Sequence, residues 1–273
     1  MARTLPPDGP MLVALDIDGT LLSYDGDLTD AVREAVGAVR EAGHEVVLAS
    51  GRSLLAMLPV ASALGIGTGW MVCSNGAVTV RLDPASPQGW ATEDVVTFDP
   101  EPALRLLREQ LPDARYAVED LGVGFRMTEH FPDGELEGEH VIVPMEDLWS
   151  TEVTRVIVRR PDSTSGHFHE LVEHLGLEDV TYAVGWSAWM DLAPLGVSKA
   201  TALEQVRRRR HLQPHRTVAI GDGHNDLEML RWAARGVAMG HADDAVQAAA
   251  DEVTGPIEDD GAVEVLRSLL PPR

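Results

Sequence analysis

The sequence predicts an α/β protein in which a doubly wound parallel sheet carries an inserted, smaller α+β module. Short apolar runs alternate with stretches of helical periodicity over residues 11–80, and the alternation returns over residues 198–239. The turn-rich stretch LDPASPQ at residues 82–88 separates the first block from a segment of different pattern. We therefore expect a core domain formed by residues 1–82 and 190–273, and an inserted domain over residues 83–189.

The first block opens with a strand, a helix and a second strand. Met11 to Leu15 is a short apolar run of the kind that forms a buried strand. Residues 28–42 carry valines at helical spacing, and Gly43 is placed to end that helix. EVVLA at residues 45–49 is apolar and rich in β-branched side chains, which favours a strand.

A helix and a hairpin complete the first block. Residues 53–64 predict a helix that Pro59 kinks or shortens. WMVCSNGAVTV at residues 70–80 predicts two short strands joined at Asn75-Gly76, because Asn-Gly is a strong hairpin signal.

The inserted segment has mixed helical and strand patterns, which indicates an α+β module. Its predicted elements are helices at 102–111 and 165–175, a hairpin formed by RYAVED (115–120) and GFRMTE (124–129), and strands in EVTRVIVRR (152–160), VTYAV (180–184) and AWMDL (188–192). The second core block then predicts a helix at 198–210, the strand TVAIG at 217–221, a helix at 225–234 and the strand GVAM at 236–239.

Composition excludes several classes of function. The chain has 22 Lys plus Arg against 44 Asp plus Glu, so its net charge of −22 repels nucleic-acid backbones and anionic membranes. The single cysteine, Cys73, fits a reducing compartment. No apolar run reaches the ~18 residues of a membrane span, and the N-terminus lacks the pattern of a signal peptide. We expect a cytoplasmic protein that binds neither nucleic acid nor membranes, and the sequence specifies no oligomeric state.

Polar residues follow the predicted parallel strands at equivalent positions. Asp16 and Asp18 follow the first strand, Ser50 the second, and Asp222 the strand TVAIG. Ligands of open α/β sheets bind beyond the carboxyl ends of the strands, so these side chains predict one site.

The predicted site combines clustered carboxylates with a cationic helix start. Asp16 and Asp18 point the same way along the chain, and Asp222 joins them, so a cation is needed to offset their repulsion. Oxygen ligands favour Mg²⁺ with a substrate phosphate. Lys199 falls in the first turn of its helix behind the predicted N-cap Ser198, which suits phosphate binding.

Four ordered motifs, DIDGTLL, ASGR, Lys199 and GDGHNDLEML, resemble those of the haloacid dehalogenase-like hydrolases. The insertion after the third strand resembles the large cap of the Cof-type phosphatases, and SNGA and EDDG also fit that subgroup. The resemblance implies a Rossmann-like core, an inserted cap and phosphoryl transfer through an aspartyl-phosphate.

The resemblance also implies a role for each motif residue. Asp16 would be the nucleophile, and Asp18 the general acid and then base. Mg²⁺ would be held by Asp16, Asp222 and the Asp18 backbone carbonyl. The expected phosphate-binding residues are Ser50, Gly51, Lys199 and Asn225. The expected supporting residues are Asp226, Gly19 and Thr20. Because an alkoxide leaving group needs the proton that Asp18 supplies and a halide does not, ester hydrolysis is favoured over dehalogenation.

Several other residues have both a functional and a structural interpretation. Arg52 either touches substrate or pairs with an acidic cap residue, and Asn75 either lines the pocket or serves only the Asn-Gly turn. His167 and His169 are interpreted as surface histidines in preference to metal ligands. The run RRRRH at 207–211 is interpreted as a solvated helix end in preference to a nucleic-acid patch.

Trp186 and Trp189 either pack in a core, the favoured interpretation, or stack on a substrate ring, while His224 stays unassigned. The predicted function is Mg²⁺-dependent hydrolysis of a small phosphorylated metabolite. Sugar phosphates are the first expected substrates, followed by pyridoxal phosphate, flavin mononucleotide or a ribityl phosphate. The alternatives are a phosphosugar mutase or a sucrose- or trehalose-phosphate type of phosphatase with the same fold, and a non-catalytic phosphate-sensing or protein-binding relic.

Overall fold

The computed structural model describes residues 9–161, 180–184 and 188–271. Its strands form one sheet of eight strands and one of six. In chain order the strands are β1 Leu12–Leu15, β2 Glu45–Ala49, β3 Gly69–Cys73, β4 Val78–Leu82, β5 Trp90–Val95, β6 Arg115–Asp120, β7 Gly124–Met127, β8 Glu139–Ile142, β9 Val156–Arg159, β10 Val180–Val184, β11 Trp189–Pro194, β12 Thr217–Gly221, β13 Arg235–Ala238 and β14 Glu252–Val253. The described α-helices are Asp30–Glu41, Leu54–Ala63, Glu101–Gln110, Lys199–Arg209, Leu227–Trp232, Asp244–Ala249 and Gly261–Arg267.

The eight-stranded sheet has the order β14-β13-β12-β1-β2-β3-β4-β5. Every neighbouring pair from β14 to β3 is parallel, and β4 and β5 continue the sheet as antiparallel strands. This order confirms the predicted doubly wound parallel sheet, because β1 lies in the middle and the chain winds outward in both directions.

Side chains of the central strands alternate between two apolar cores. On β1, Val13 and Leu15 belong to a core covered by the helices Asp30–Glu41, Leu54–Ala63 and Gly261–Arg267. Leu12 and Ala14 face a second core, which includes residues of the helices Lys199–Arg209 and Leu227–Trp232. Because both faces are covered, the central strands are apolar throughout, as the sequence indicated.

The six-stranded sheet has the order β10-β11-β9-β6-β7-β8 and is a second α+β unit. The helix Glu101–Gln110 covers one face, where its Leu104 and Leu107 pack against Val118 and Val158. The other face carries a smaller apolar cluster that includes Phe125, Met127 and Phe131.

The strand β5 changes the predicted domain boundary. It pairs with β4 in the first sheet, although the sequence analysis placed residues 83–189 in the inserted domain. The stretch 82–88 is the turn of this hairpin, where the Asp83 N–H donates to the Gly89 carbonyl. We therefore propose that the inserted domain begins after Val95.

Two predicted helices differ in detail from those observed. The helix Leu54–Ala63 contains Pro59 and continues past it to Ala63, so the expected shortening is not observed. The predicted helix 225–234 begins as a 3₁₀ turn, His224–Asp226, before the α-helix Leu227–Trp232. The predicted helix 165–175, His167, His169 and Trp186 lie outside the described residues. In the part of the chain that the structure describes, no helix is both long and apolar enough to cross a bilayer.

Candidate active site

The carboxyl ends of four adjacent strands meet at one edge of the large sheet. Asp222 follows β12, Asp16 follows β1, Ser50 follows β2 and the Ser74–Gly76 turn follows β3, in the spatial order of these strands. The sequence-predicted residues are therefore brought together as expected for a parallel sheet.

Lys199 lies between two carboxylates at the centre of this edge. Its Nζ donates to Asp16 Oδ1 at 2.6 Å and to Asp226 Oδ1 at 2.7 Å. Lys199 and Asp226 are fully buried, and Asp16 is 4% exposed. The helix N-cap is Ser198, as predicted, and its hydroxyl accepts from the Thr201 N–H. The ammonium is thus held at a fixed point beside Asp16 by the start of its own helix.

Asp226 is fixed by its other oxygen. Its Oδ2 accepts the backbone N–H groups of Asp222 and Gly223, at 3.1 and 3.0 Å. Asp226, which the sequence predicts to be a supporting residue, therefore ties Lys199 to the loop after β12.

Asp222 is held by donors on both of its oxygens. The Thr20 hydroxyl donates to Oδ1 at 3.1 Å, and the Tyr24 hydroxyl donates to Oδ2 at 2.7 Å. Gly19 has a φ of +78°, and a Cβ there would lie 2.3 Å from Asp222 Oδ2. Only glycine fits this turn of the chain, which supports the predicted role of Gly19.

Burial and crowding shift the pKa values of the cluster. Burial, reinforced by Asp226, raises the pKa of Asp16 well above its usual range, and the Lys199 ammonium opposes this shift only in part. Burial, again reinforced by Asp226, raises the pKa of Asp222. Burial disfavours the Lys199 ammonium, but the two adjacent carboxylates outweigh it and raise the pKa of Lys199. Negative charge is therefore in excess at this point.

The three carboxylates form a set able to hold a metal ion. Asp16, Asp222 and Asp226 each bring one oxygen within 4.8 Å of the others. An all-oxygen, anionic donor set suits a hard divalent cation such as Mg²⁺. Asp18, which the sequence analysis assigned as a ligand through its backbone carbonyl, directs its carboxylate elsewhere.

The Asp18 carboxylate is clasped by Arg52. Arg52 Nε donates to Oδ2 at 2.9 Å, and its NH2 group donates to Oδ1 at 2.6 Å. Arg52 was expected to touch substrate or to pair with an acidic cap residue, and the structure shows a further partner, the core aspartate Asp18. The guanidinium forms a two-pronged contact because its planar fork matches a carboxylate.

The predicted phosphate-binding residues and Asn75 lie together. The Asn225 amide donates to Asn75 Oδ1 at 3.0 Å. A Cβ at Gly51 would lie 3.2 Å from the Asn75 side chain. Ser50 is 1% exposed, and its hydroxyl accepts from the Arg52 N–H at 3.1 Å. The turn that carries Asn75 is left-handed at Ser74 and Asn75, and a Cβ at Gly76 would lie 2.2 Å from the Ser198 carbonyl oxygen.

The two sheets are joined at this edge by a hydrogen bond that the sequence analysis missed. Ser74 Oγ donates to Glu119 Oε2 at 2.6 Å, and both residues are buried. Burial raises the pKa of Glu119, opposed by Arg155 and by the hydroxyls of Ser74 and Thr154. Glu119 lies in no motif, so nothing in the sequence pointed to it.

The remaining singled-out residues have structural partners. His224 contacts Asp243, and Trp189 packs edge-on against Phe131 with ring centroids 6.0 Å apart. Each arginine of the run 207–210 contacts an acidic side chain; the side chain of Arg207 is largely buried, and those of Arg208, Arg209 and Arg210 are exposed. Tyr24 and His241 were not anticipated. His241 comes three residues after β13, so the rule of strand ends would have pointed to it.

Comparison with known proteins identifies a family. The model described as haloacid dehalogenase-like hydrolase matches residues 13–266. Pyridoxal phosphate phosphatase YbhA of Escherichia coli is 29% identical over 95% of this chain and 98% of that protein. In Bacillus subtilis, 5-amino-6-(5-phospho-D-ribitylamino)uracil phosphatase YitU is 25% identical over 94% of this chain and 97% of that protein. The solved structure of the HAD subclass IIB sugar phosphatase BT4131 has a TM-score of 0.78 at 21% identity, covering 95% of this chain and 100% of that chain, which shows the fold.

Proposed function

Because the chain belongs to the haloacid dehalogenase-like hydrolases and, like its named relatives, is a phosphatase, we propose that it hydrolyses a small phosphate monoester through an aspartyl-phosphate on Asp16. The observation that carries this proposal is the buried Asp16 carboxylate, 2.6 Å from the only ammonium in its cluster. A carboxylate oxygen of Asp16 attacks phosphorus while the bond from phosphorus to the ester oxygen breaks.

Asp18 handles the proton in both halves of the reaction. It first gives a proton to the departing alkoxide, and then takes one from the water that attacks the aspartyl-phosphate and releases inorganic phosphate. The two-pronged contact with Arg52 fixes the Asp18 side chain at the rim of the site.

Lys199 has a donor to offer the transferring phosphoryl group. An ammonium has three N–H donors, and within the described part of the chain two of them point to Asp16 and Asp226. The third donor, with Ser50, Gly51 and Asn225, would bind the phosphoryl oxygens. Their placement around the end of β2 supports this role.

The cluster also has the chemistry to hold Mg²⁺. We propose Asp16, Asp222 and the Asp18 backbone carbonyl as its ligands. Support comes from the burial of Asp16 and Asp222 and from their repulsion by neighbouring carboxylates, which together raise the pKa of both groups. When bound, Mg²⁺ supplies the charge that neutralises the transferring phosphoryl group.

The second sheet is proposed as the cap that covers the site. Support comes from the buried hydrogen bond between Ser74 and Glu119, which joins the second sheet to the turn that carries Asn75. Sugar phosphates are the first proposed substrates, followed by pyridoxal phosphate, flavin mononucleotide and ribityl phosphates. Relatives named for pyridoxal phosphate and for a ribityl phosphate support testing these classes together.

The test is phosphate release from a panel of these compounds and nucleotides, with Mg²⁺ or EDTA. Asp16→Asn is measured beside Asp113→Asn, which changes an exposed aspartate in a turn. Metal-dependent release by the intact protein and by Asp113→Asn, but not by Asp16→Asn, is expected. Release that Asp16→Asn leaves unchanged would disprove the proposed nucleophile. A phosphorylated sugar isomer as the product, without free phosphate, would establish the mutase alternative.

A further inference from the structure

Asp222 is surrounded by more hydrogen-bond donors than its motif supplies. Thr20 donates to Oδ1, and Tyr24 donates to Oδ2. A third group, His241, brings Nε2 to within 3.6 Å of Oδ2. Tyr24 and His241 belong to segments outside the four motifs, so their convergence on one carboxylate oxygen needs an explanation.

The backbone fixes which nitrogen of His241 carries the proton. The Ile257 N–H donates to Nδ1 at 3.2 Å, so Nδ1 is an acceptor and the imidazole proton lies on Nε2. Nε2 is buried and has no hydrogen-bond partner among residues 9–161, 180–184 and 188–271. A buried donor without a partner is costly, and the Asp222 carboxylate lies 3.6 Å from it, just beyond hydrogen-bond distance.

Tyr24 is coupled to the same arrangement. Its ring meets that of His241 edge-on, with centroids 6.0 Å apart and an interplanar angle of 86°. Burial of its hydroxyl and the hydrogen bond to Asp222 raise the pKa of Tyr24, so it stays a donor at every physiological pH. The two aromatic side chains therefore support each other and face one carboxylate.

We propose that Tyr24 and His241 are positioning residues that hold the Asp222 carboxylate in the orientation in which it binds a divalent cation. The inference rests on the proposed function, because Asp222 is there assigned as a metal ligand. Neither side chain is itself a ligand. Each acts through Asp222, by restricting rotation of a carboxylate that repels its neighbours Asp16 and Asp226.

Outer hydrogen bonds of this kind have a measurable effect. Removing a group that orients a metal ligand typically weakens metal binding about 10–100-fold. A merely structural role would lower stability and leave the metal affinity of the folded protein unchanged.

The experiment measures binding of Mn²⁺, as a paramagnetic substitute for Mg²⁺, from the electron paramagnetic resonance signal of the free ion, without substrate. The variants are Tyr24→Phe, His241→Ala, the double variant and Asp222→Asn. Tyr182→Phe and His140→Ala serve as matched controls, because both change exposed residues of the second sheet. Tyr24→Phe keeps the ring and its contact with His241, so it carries the test if His241→Ala fails to fold.

We expect Tyr24→Phe and His241→Ala each to weaken Mn²⁺ binding about 10–100-fold, and the controls to change it less than twofold. The double variant should fall short of the product of the two effects, because both act through one carboxylate. If Asp222→Asn abolishes binding while Tyr24→Phe leaves it within twofold, the inference is wrong and the proposed metal site stands. If Asp222→Asn itself leaves binding unchanged, the proposed metal site fails, and the inference fails with it.

Discussion

The substitution Lys199→Met removes the positive charge from the centre of the site and keeps a side chain of similar length. Asp16 and Asp226 then face each other without the ammonium that lies 2.6 and 2.7 Å from their oxygens. Breaking a fully buried ion pair by removing one partner typically costs about 3–5 kcal/mol. We expect Lys199→Met to lower the free energy of unfolding at pH 7 by about that amount, a large part of the total for a natural domain.

The loss should depend on pH in a defined direction. The pKa of Asp16 is raised in the folded protein, so folding favours its protonated form. Such a group contributes most to stability below its unfolded pKa, and the contribution disappears as the pH rises through the folded pKa. Removing the ammonium raises the folded pKa further, so the cost of Lys199→Met should shrink when the pH is lowered from 7 to 5.

Urea unfolding followed by circular dichroism at pH 7 and pH 5 measures both effects. Lys199→Met/Asp226→Asn is the matched control, because it removes one of the two opposed carboxylates and should recover part of the lost stability. Phosphate release should be abolished in both variants, since the proposed donor to the phosphoryl group is gone. A loss below about 1 kcal/mol at pH 7, or a loss that grows at pH 5, would refute the view that Lys199 offsets buried negative charge.

Three further predictions concern other charged groups. Asp16→Asn should be at least as stable as the intact chain at pH 7, and its stability relative to the intact chain should rise between pH 4 and pH 7, because the raised pKa of Asp16 marks a charge that folding disfavours. Thermal unfolding of both proteins at the two pH values checks this. A loss of stability in the variant at pH 7 but not at pH 4 would contradict it. Glu119→Gln should gain stability relative to the intact chain as the pH rises above 4.5, because burial raises the pKa of Glu119 from that value. The amide oxygen of the glutamine can still accept a hydrogen bond from Ser74. If the difference in stability between variant and intact chain is the same at pH 4 and pH 7, the prediction is wrong. Glu204→Gln should lower the free energy of unfolding by about 1–2 kcal/mol at pH 7, because it loses hydrogen bonds between a carboxylate and arginines. Arg207 and its neighbours lower the pKa of Glu204 to about 2, so this loss should shrink as the pH drops from 4.5 to about 2. Urea unfolding at several pH values measures it, and a loss that does not depend on pH would count against it.

The doubly wound parallel sheet and the meeting of the residues at its strand ends could be predicted from the sequence, because both depend on local rules. Apolar runs mark buried parallel strands, and the residues after them meet at one edge of the sheet. The proximity of Asp16, Ser50 and Asp222 could therefore be predicted without knowing their contacts. The requirement for glycine at position 19 could be predicted in the same way, because the chain must turn directly after the first strand.

Partners across the chain could not be predicted in this way. Arg52 binds Asp18, and Ser74 binds Glu119. The partners are 34 and 45 residues apart in sequence, so no local periodicity predicts them. The predicted boundary at residue 83 rested on the turn-rich composition of residues 82–88, whereas the pairing of β5 with β4 favours the later boundary proposed above. A turn rich in Asp, Pro, Ser and Gly joins two strands of one hairpin as readily as it separates two domains, and its composition does not reveal that β5 pairs with β4.

The basic residues of the chain show why the site is built as it is. Lys199 is the only lysine among 273 residues, and the other 21 of the 22 basic side chains are arginines. Where a carboxylate is met by two parallel donors, as Asp18 is by Arg52, the planar guanidinium fits. Between Asp16 and Asp226 a compact charge with donors in different directions is required, and only an ammonium provides it. The single lysine of the chain is therefore fully buried between two carboxylates, which suits a role in the proposed site and not in surface charge.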